Sequence, residues 1–528
     1  MADSIFKTES FLFIRSFECL VSLMTAFGIF TTCLLITTTL ISAQERSPKA
    51  PRRDHVLLIT IDDLNDWIGC LSETADTDKT GKFITGQGHP QARTPHLDAL
   101  AKRGVLFTNA HCQAPICKPS RASIFSGLRP STTGLYGNRP QFDAKSEVRP
   151  GQEVPWLTER FSDSGYEVFT AGKLLHASRN KPLGGTACFQ TNQGPYPKEK
   201  IEVPPEITPA RVWDIGRYPA KEEDYTDLRI AKWTAGNISK PLTESDQPRF
   251  MALGFYNPHL PLFAPSKWFE AAPKKEDVIL AHNREGDRDD LSEIARRINS
   301  RVSFSRCADW ALSDEKNQRT LTQAYLACTT AMDDALGHVI AALDQSEMAE
   351  TTWIIVLSDH GWHLGEKNCI AKQTLWTRST RVPLIVVPPK RLGKMARGRR
   401  CDRAVELLDI YPTLVDGAKL PNAQSDQLLE GVSLLPWLED PAAKRKRPAI
   451  TTIYAHNHSL CDTRWRYTRY ADGSEELYDR ENDYHEVNNL IGQKDQRPDL
   501  QEVVKRLSAW IPKKEVRGPD LLIEKKEN

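Results

Sequence analysis

Apolar runs of strand length recur along this chain, and polar residues follow several of them directly. His55–Ile61 reads HVLLITI, a continuous apolar run that predicts a strand buried on both faces of a parallel sheet. Val105–Ala110, Glu167–Ala171 (EVFTA), Arg249–Phe255 (RFMALGF), Thr351–Leu357 (TTWIIVL) and Val382–Val387 predict further strands. Helical patterns alternate with them. Thr94–Gly104 reads as a capped helix closed by a glycine. Trp156–Ser164 is amphipathic, and Glu406–Leu414 predicts another helix. The clearest helix is Leu321–Leu343, where Leu321, Tyr325, Cys328, Met332, Leu336, Val339 and Leu343 repeat at three- and four-residue spacing.

Two stretches break the rhythm. Residues 177–246 are rich in Pro, Gly and charge and predict a long, loop-rich excursion. Residues 265–318 are irregular, with one short helix around Leu291–Asn299. Strands alternating with helices predict an α/β fold with a largely parallel sheet. Residues 448–515 mix strand-like runs with a final helix near Leu500–Trp510, which predicts a smaller C-terminal α+β subdomain after a charged linker. The tail, 516–528, reads as disordered. Four strands end in polar residues: Asp62 and Asp63, Lys173 and His176, His259, and Asp359 with His360. In open α/β sheets that edge is where ligands bind.

Composition narrows the class. The chain has 528 residues, 70 Lys plus Arg against 69 Asp plus Glu, and a net charge of +1. That balance gives no bulk attraction for nucleic acid. Residues 19–43 carry no charge, follow Lys7 and Arg15, and end in Ile41-Ser42-Ala43. They read as a signal peptide over residues 1–43, the rival being an uncleaved membrane anchor. The expected location is therefore exported: periplasmic, secreted or cell-surface, or lysosomal in a eukaryote. Of eleven cysteines, two fall in that segment. The nine that remain fit one modified cysteine and up to four disulfides.

The candidate chemistry centres on Cys117-Lys118-Pro119-Ser120-Arg121, continuing Ala122-Ser123-Ile124-Phe125-Ser126-Gly127. Pro119 suits a first helical turn, where its missing N–H has no partner to lose. A group at a helix N-terminus sits in a field that favours developing anions. Arg121 adds a permanent cation one turn away. The plainer reading is a buried structural cysteine. The stretch resembles the signature of the formylglycine-dependent sulfatases, Cys-x-Pro-Ser-Arg-x-x-Leu-x-Thr-Gly, with Ile124 and Ser126 as departures. Gly165-Tyr166 with Gly172-Lys173-Leu174-Leu175-His176 resembles the second signature of that family. The histidine three residues after the lysine is similar to the iduronate-2-sulfatase subgroup. Tyr256-Asn257-Pro258-His259-Leu260-Pro261, Gly361-Trp362-His363-Leu364-Gly365-Glu366 and Ala371-Lys372 resemble the same subgroup. Glu476-Leu477-Tyr478-Asp479 resembles the family's C-terminal pattern.

The resemblance implies an alkaline phosphatase-like sandwich with a catalytic domain over 44–440. It implies that Cys117 is converted to formylglycine (3-oxoalanine) by a formylglycine-generating enzyme. Asp62, Asp63, Asp359, His360 and the modified Cys117 would hold a divalent metal, calcium in most of the family. His360 leaves magnesium, or a supporting role for that histidine, open. Lys173 and Lys372 would bind sulfate oxygens, and Arg121 would stabilise the formylglycine alkoxide. His176 would hold the hydrate, and His259 would protonate the departing sugar oxygen. Taken alone, Asp62-Asp63 reads as a cap or solvated turn, and each lysine or histidine as surface or core. His111, His363, His456 and His458 stay in that plainer class. The implied activity is hydrolysis of a sulfate ester on a sulfated carbohydrate. Two alternatives stand beside it: a phospho- or phosphonate-ester hydrolase on the same fold, and an unconverted carbohydrate-binding protein.

Overall fold

The structure is a computed structural model. It describes residues 53–72, 75, 77, 81, 83–84, 86–138, 154–176, 183, 185–208, 213–242, 247–300 and 305–516. The expected signal segment and the expected tail beyond residue 516 lie outside the described residues. Among the described residues, no helix is long and apolar enough to cross a membrane.

The centre is a nine-stranded sheet. Its strands are β1 (His55–Ile61), β2 (Val105–His111), β3 (Glu167–Gly172), β4 (Ala187–Phe189), β5 (Arg249–Phe255), β6 (Thr352–Ser358), β7 (Arg381–Val387) and β8 (Arg399–Cys401). They lie in the order β8-β2-β7-β6-β1-β5-β3-β4, with Val405–Glu406 pairing β2 off this path. Only β7 runs antiparallel to its neighbours, β6 and β2. The apolar runs read from sequence are thus the buried strands, and β6, β1, β5 and β3 are adjacent and parallel. Their C-terminal ends converge on one edge.

Alternation along β1 sends Val56 and Leu58 to one apolar layer and Leu57, Ile59 and Ile61 to the other. The first layer is covered by α2 (Cys117–Ser126), α3 (Leu157–Asp163) and α6 (Ile410–Gly417). The second is covered by α1 (Pro95–Arg103), α4 (Thr226–Ile238) and α5 (Glu315–Asp344). This is the alkaline phosphatase-like sandwich expected from the sequence. At the C-terminus, β9 (Ala449–Thr452), β10 (His458–Cys461), β11 (Trp465–Arg469) and β12 (Glu475–Asp479) form an antiparallel sheet. Leu500, Val503 and Leu507 of α7 (Pro498–Ser508) pack on it.

Several local expectations are corrected. The excursion over 177–246 contains α4, which buries Leu228, Ile230, Ala231 and Ile238. Its apolar spacing is helical, but Pro- and Gly-rich flanks hide it. The 265–318 stretch holds Ser266–Ala271 and Ser305–Ser313 besides the expected helix, found at Glu293–Ser300. Helix α5 starts at Glu315, six residues earlier than its apolar stripe, because the Asp314 carboxylate accepts the Lys316 N–H. The cap of α1 is tertiary. Asp333 on α5 accepts the N–H groups of His96 (3.0 Å) and Leu97 (2.9 Å), and Thr94 makes no side-chain cap bond. The segment from Glu406 begins as a short strand and a 3-10 turn before α6, because the Glu406 carboxylate is drawn to Arg129 at 2.7 Å. The nine cysteines from Cys70 to Cys461 are all free.

Two glycines let β3 and β5 converge tightly. Gly172 has φ +65°, and a Cβ there would lie 2.2 Å from the Gly254 carbonyl oxygen. A Cβ on Gly254 would lie 1.8 Å from the Lys173 carbonyl oxygen. Gly254→Ala should therefore part the two strand ends and destabilise the fold by about 1–3 kcal/mol, the usual scale of overpacking. Denaturant unfolding checks this, and an unchanged midpoint would mean that the strand ends separate at no cost.

Candidate active site

The converging strand ends form a buried polar cluster around Cys117. Cys117 opens α2, whose last turn closes on Gly127 in the left-handed region, with the Gly127 N–H donating to the Ser123 carbonyl. Asp62 and Asp63 follow β1, Lys173 follows β3, and Asp359 and His360 follow β6. Lys372 comes from a hairpin in which His363–Leu364 pairs with Ile370–Ala371. Its neighbours Ala371 (φ 80°) and Gln373 (φ 75°) both occupy the left-handed region, as does Asp63 (φ 62°). Such non-glycine conformations cost free energy and gather at functional sites.

The Cys117 Sγ lies 3.1 Å from Lys372 Nζ, 3.3 Å from His360 Nε2 and 3.9 Å from Lys173 Nζ. Lys173 also pairs with Asp62, and Lys372 with Asp63. Beneath them Arg121, with no exposed surface, donates from Nε to Asp359 Oδ2 at 2.7 Å and reaches Asp62 Oδ1 at 3.4 Å. Its Nη1 donates to the Lys173 carbonyl and to Thr60 Oγ1. Asp359 Oδ1 accepts the backbone N–H groups of Asp63 (3.2 Å) and His360 (3.0 Å).

The electrostatics follow from burial and pairing. Burial opposes charge on Asp62, but Lys173 first, then His259 and Arg121, hold its carboxylate well below the usual range. Asp63 is pushed up, chiefly by burial. Burial also raises the Cys117 thiol despite both lysines. The thiol is thus held protonated, which is the wrong state for a thiolate nucleophile. Burial works against the Arg121 charge, but Asp359 and Asp62 outweigh it and raise its pKa.

Asp62, Asp63, Cys117 and His360 each offer one ligand atom within 4.8 Å of the others. The donors suit a cation. Asp63 Oδ2 is buried with no hydrogen-bond partner among the described residues. The His360 Nδ1–H faces the Gly361 carbonyl at 3.1 Å, which leaves the Nε2 lone pair directed at the cluster. Asp359 falls outside this group of four. Its Oδ1 is 3.6 Å from His360 Nε2, and its carboxylate also accepts from Arg121 and two amides, with an Oδ2 lone pair left over.

Two sequence-derived histidines remain. His259 Nε2 is 3.9 Å from Asp63 Oδ2, and its Nδ1 bonds the Leu260 carbonyl. Burial, then Lys173, lowers its pKa. His176 follows Lys173 on the same chain segment and is exposed. His363 is buried against Thr374 Oγ1 at 2.9 Å, and His111 against Asn109 and Thr380, so both brace the frame.

Two supporting residues escaped the sequence reading. The Tyr325 hydroxyl on α5 donates to the Asp63 carbonyl and accepts the Asn65 N–H, both at 2.8 Å. The Asp227 carboxylate on α4 accepts the N–H groups of Tyr256 (2.8 Å) and Asn257 (2.9 Å), fixing the turn that carries His259. In the sequence Tyr325 shows only as part of an apolar stripe, and Asp227 sits in a stretch whose Pro, Gly and charge predict loop.

Comparison with known proteins agrees with this geometry. A family model described as Sulfatase matches residues 54–420, and one described as N-sulphoglucosamine sulphohydrolase, C-terminal, matches residues 365–514. A protein named Sulfatase from Formosa agariphila is 32% identical over 457 residues, covering 82% of this chain and 82% of its own. Iduronate 2-sulfatase from Homo sapiens is 28% identical over 416 residues, covering 75% of this chain and 70% of its own. Among solved structures, the phosphonate monoester hydrolase of Agrobacterium radiobacter aligns with TM-score 0.64 at 21% identity, covering 87% of this chain and 96% of its own. A 2-O GAG sulfatase aligns with TM-score 0.61 at 21% identity, covering 87% of this chain and 92% of its own. At that identity the two structures speak for the shared fold alone.

Tyr325→Phe should leave a buried carbonyl and a buried N–H unpaired and cost about 1–3 kcal/mol. Turnover should fall as well, because the Asp63 backbone loses its anchor. A variant with unchanged unfolding midpoint and unchanged kcat would separate Tyr325 from the site.

Proposed function

From the premise that the chain belongs to the sulfatase family and is a sulfuric ester hydrolase, we propose that it cleaves sulfate from a sulfated carbohydrate, with an iduronate-2-sulfatase-like arrangement of groups. The observation that carries the reading is the environment of Cys117. The side chain starts a helix, touches two lysines and a histidine, and faces three carboxylates, while the bare thiol is held protonated. That setting suits an oxygen nucleophile. In this reading Sγ stands where a hydroxyl of the formylglycine hydrate would be, and a formylglycine-generating enzyme carries out the conversion during export.

Asp62, Asp63, Asp359 and His360 would hold a divalent cation, calcium by preference for carboxylate oxygen. When bound, the metal supplies Lewis-acid polarisation of a sulfate oxygen and of the attacking hydroxyl. Lys173 and Lys372 neutralise the sulfate oxygens and orient the sulfur toward position 117. Arg121, locked on Asp359, stabilises negative charge on the attacking oxygen. His176 lies beyond Lys173, where it accepts the proton released when the aldehyde is regenerated. His259 serves the leaving group. With Nδ1 tied to the Leu260 carbonyl, Nε2 is the nitrogen that carries the proton to the sugar oxygen. A bound sulfate anion restores part of the proton affinity that burial and Lys173 remove. Residues 44–440 form the catalytic domain in this reading and 448–515 the C-terminal subdomain, with residues 1–43 directing export.

Two experiments test it. Mass analysis of the peptide containing Cys117 should find CHO in place of CH2–SH when the protein is made beside a converting enzyme. Cys117→Ala should then lose all turnover while still folding. An unconverted, inactive cysteine would support the carbohydrate-binding alternative instead. Aryl sulfate should be hydrolysed with higher kcat/KM than aryl phosphate, and the reverse order would make the protein a phosphoester hydrolase.

The role of His259 is separable by leaving group. General acid catalysis contributes about a hundred- to ten-thousand-fold where the leaving group is a poor one. His259→Ala should lower turnover of a sulfated sugar by that order and barely affect nitrophenyl sulfate. His176→Ala should impair both. Equal losses on the two substrates for His259→Ala would reduce that residue to sulfate binding.

A further inference from the structure

Beside the catalytic cluster lies a wall of aromatic side chains, of which only Tyr256 belongs to a sequence motif. Tyr196, Tyr218, Tyr256 and Phe263 line one cleft together with Gln193 and Asn257. Tyr196 is 37% exposed, one of two aromatic side chains among the large exposed hydrophobic residues described. It is also near the chemistry. Lys173 stands 6.0 Å from the centre of the Tyr256 ring, which lines the same cleft as Tyr196.

The segment that carries Tyr196 is fastened to the catalytic loops rather than free. Gln193 Nε2 donates to the His259 carbonyl at 2.9 Å, and the Tyr256 hydroxyl donates to the Thr191 carbonyl at 2.6 Å. Thr226 Oγ1, at the start of α4, donates to the Gly194 carbonyl. The Tyr218 hydroxyl reaches the Tyr196 carbonyl at 3.3 Å, and its ring meets Phe263 edge-on at 5.8 Å. The backbone beneath Tyr196 is therefore tied to His259 on one side and to α4 on the other. An aromatic ring carried on a backbone fixed in this way needs no loop ordering on binding, and Tyr has only two side-chain torsions to lose.

We propose that Tyr196 is the stacking platform for the pyranose ring that bears the sulfate, placed so that the ring's ester oxygen meets His259 while its sulfate reaches Lys173 and Lys372. The inference rests on the carbohydrate-sulfatase reading above and names the residue that recognises the sugar. A pyranose offers a face of C–H groups to an aromatic ring, which supplies affinity without reading charge. The lysines read charge and do not touch the sugar face. The two contributions should therefore separate in kinetics.

The test compares wild type, Tyr196→Ala and Tyr196→Phe in the converted, metal-loaded enzyme. The readouts are KM and kcat on a sulfated disaccharide and the inhibition constant of inorganic sulfate, which occupies only the anion subsite. Tyr196→Ala should raise KM by about tenfold, the scale of one lost aromatic contact, with kcat nearly unchanged. The sulfate inhibition constant should stay at the wild-type value, and Tyr196→Phe should behave as wild type. A KM within twofold of wild type would overturn the proposal. So would a sulfate constant that rises in step with KM, because the tyrosine would then be a prop for the anion site. A wild-type enzyme that hydrolyses aryl sulfate and no sulfated saccharide would sink the carbohydrate reading itself, and the platform with it.

Discussion

Arg121 is a permanent cation with no exposed surface, and the catalytic edge is arranged around its neutralisation. An ion of this kind costs several kcal/mol to bury unless partners replace its water. Here Asp359 comes from the end of β6, Asp62 and Thr60 from β1, and the Lys173 carbonyl from the end of β3. Three strand ends must therefore meet at one point beneath α2. Because Arg121 lies one turn after Cys117, the same bonds fix the rotation of α2. The direction in which the Cys117 side chain points follows from that rotation.

The charge count at this edge is even. Arg121, Lys173 and Lys372 stand against Asp62, Asp63 and Asp359, and all six are buried or nearly so. Such a set is neutral and holds no surplus attraction for an anionic substrate. A divalent cation among the four ligand atoms would shift the balance to positive, the sign a sulfate ester needs. The orphaned Asp63 oxygen and the raised pKa of its carboxyl have the same origin: burial without enough positive charge nearby. The left-handed backbone at Asp63, and at both neighbours of Lys372, shows that the fold tolerates strain to bring these groups together.

The sequence made this edge legible for a physical reason. A parallel strand buried on both faces reads as an unbroken apolar run, so acids or a lysine directly after it are conspicuous, as at Asp62, Lys173 and Asp359. The Cys117 stretch is legible because its chemistry is local to one turn of helix. What stayed hidden depends on partners distant in sequence. Asp333 caps a helix whose N-terminus lies more than two hundred residues earlier, and Tyr325 pins a strand end a similar distance away. Helix α4 is hidden because its pattern sits between Pro- and Gly-rich flanks. The same flanks hide Asp227, whose carboxylate shapes the His259 turn. Asp359 shows the limit of the motif itself. Sequence places it among the ligands, and the structure adds that its carboxylate also holds Arg121.

The C-terminal sheet belongs to the same argument. Arg466 on β11 is fully buried and pairs with Glu486, whose carboxyl is pulled down to about 2, Arg466 leading the cations that overcome its burial. Arg466 also donates to the Leu375 carbonyl and to the hydroxyls of Thr377 and Thr380, while Glu486 accepts the Thr377 N–H at 2.8 Å. These bonds hold the segment that runs from Lys372 to β7. A buried ion pair on the second sheet thus anchors the chain that follows Lys372, as Arg121 anchors the helix that follows Cys117. The two cations divide the work: one fixes the helix that bears the reacting side chain, the other the turn that leads from Lys372 into β7.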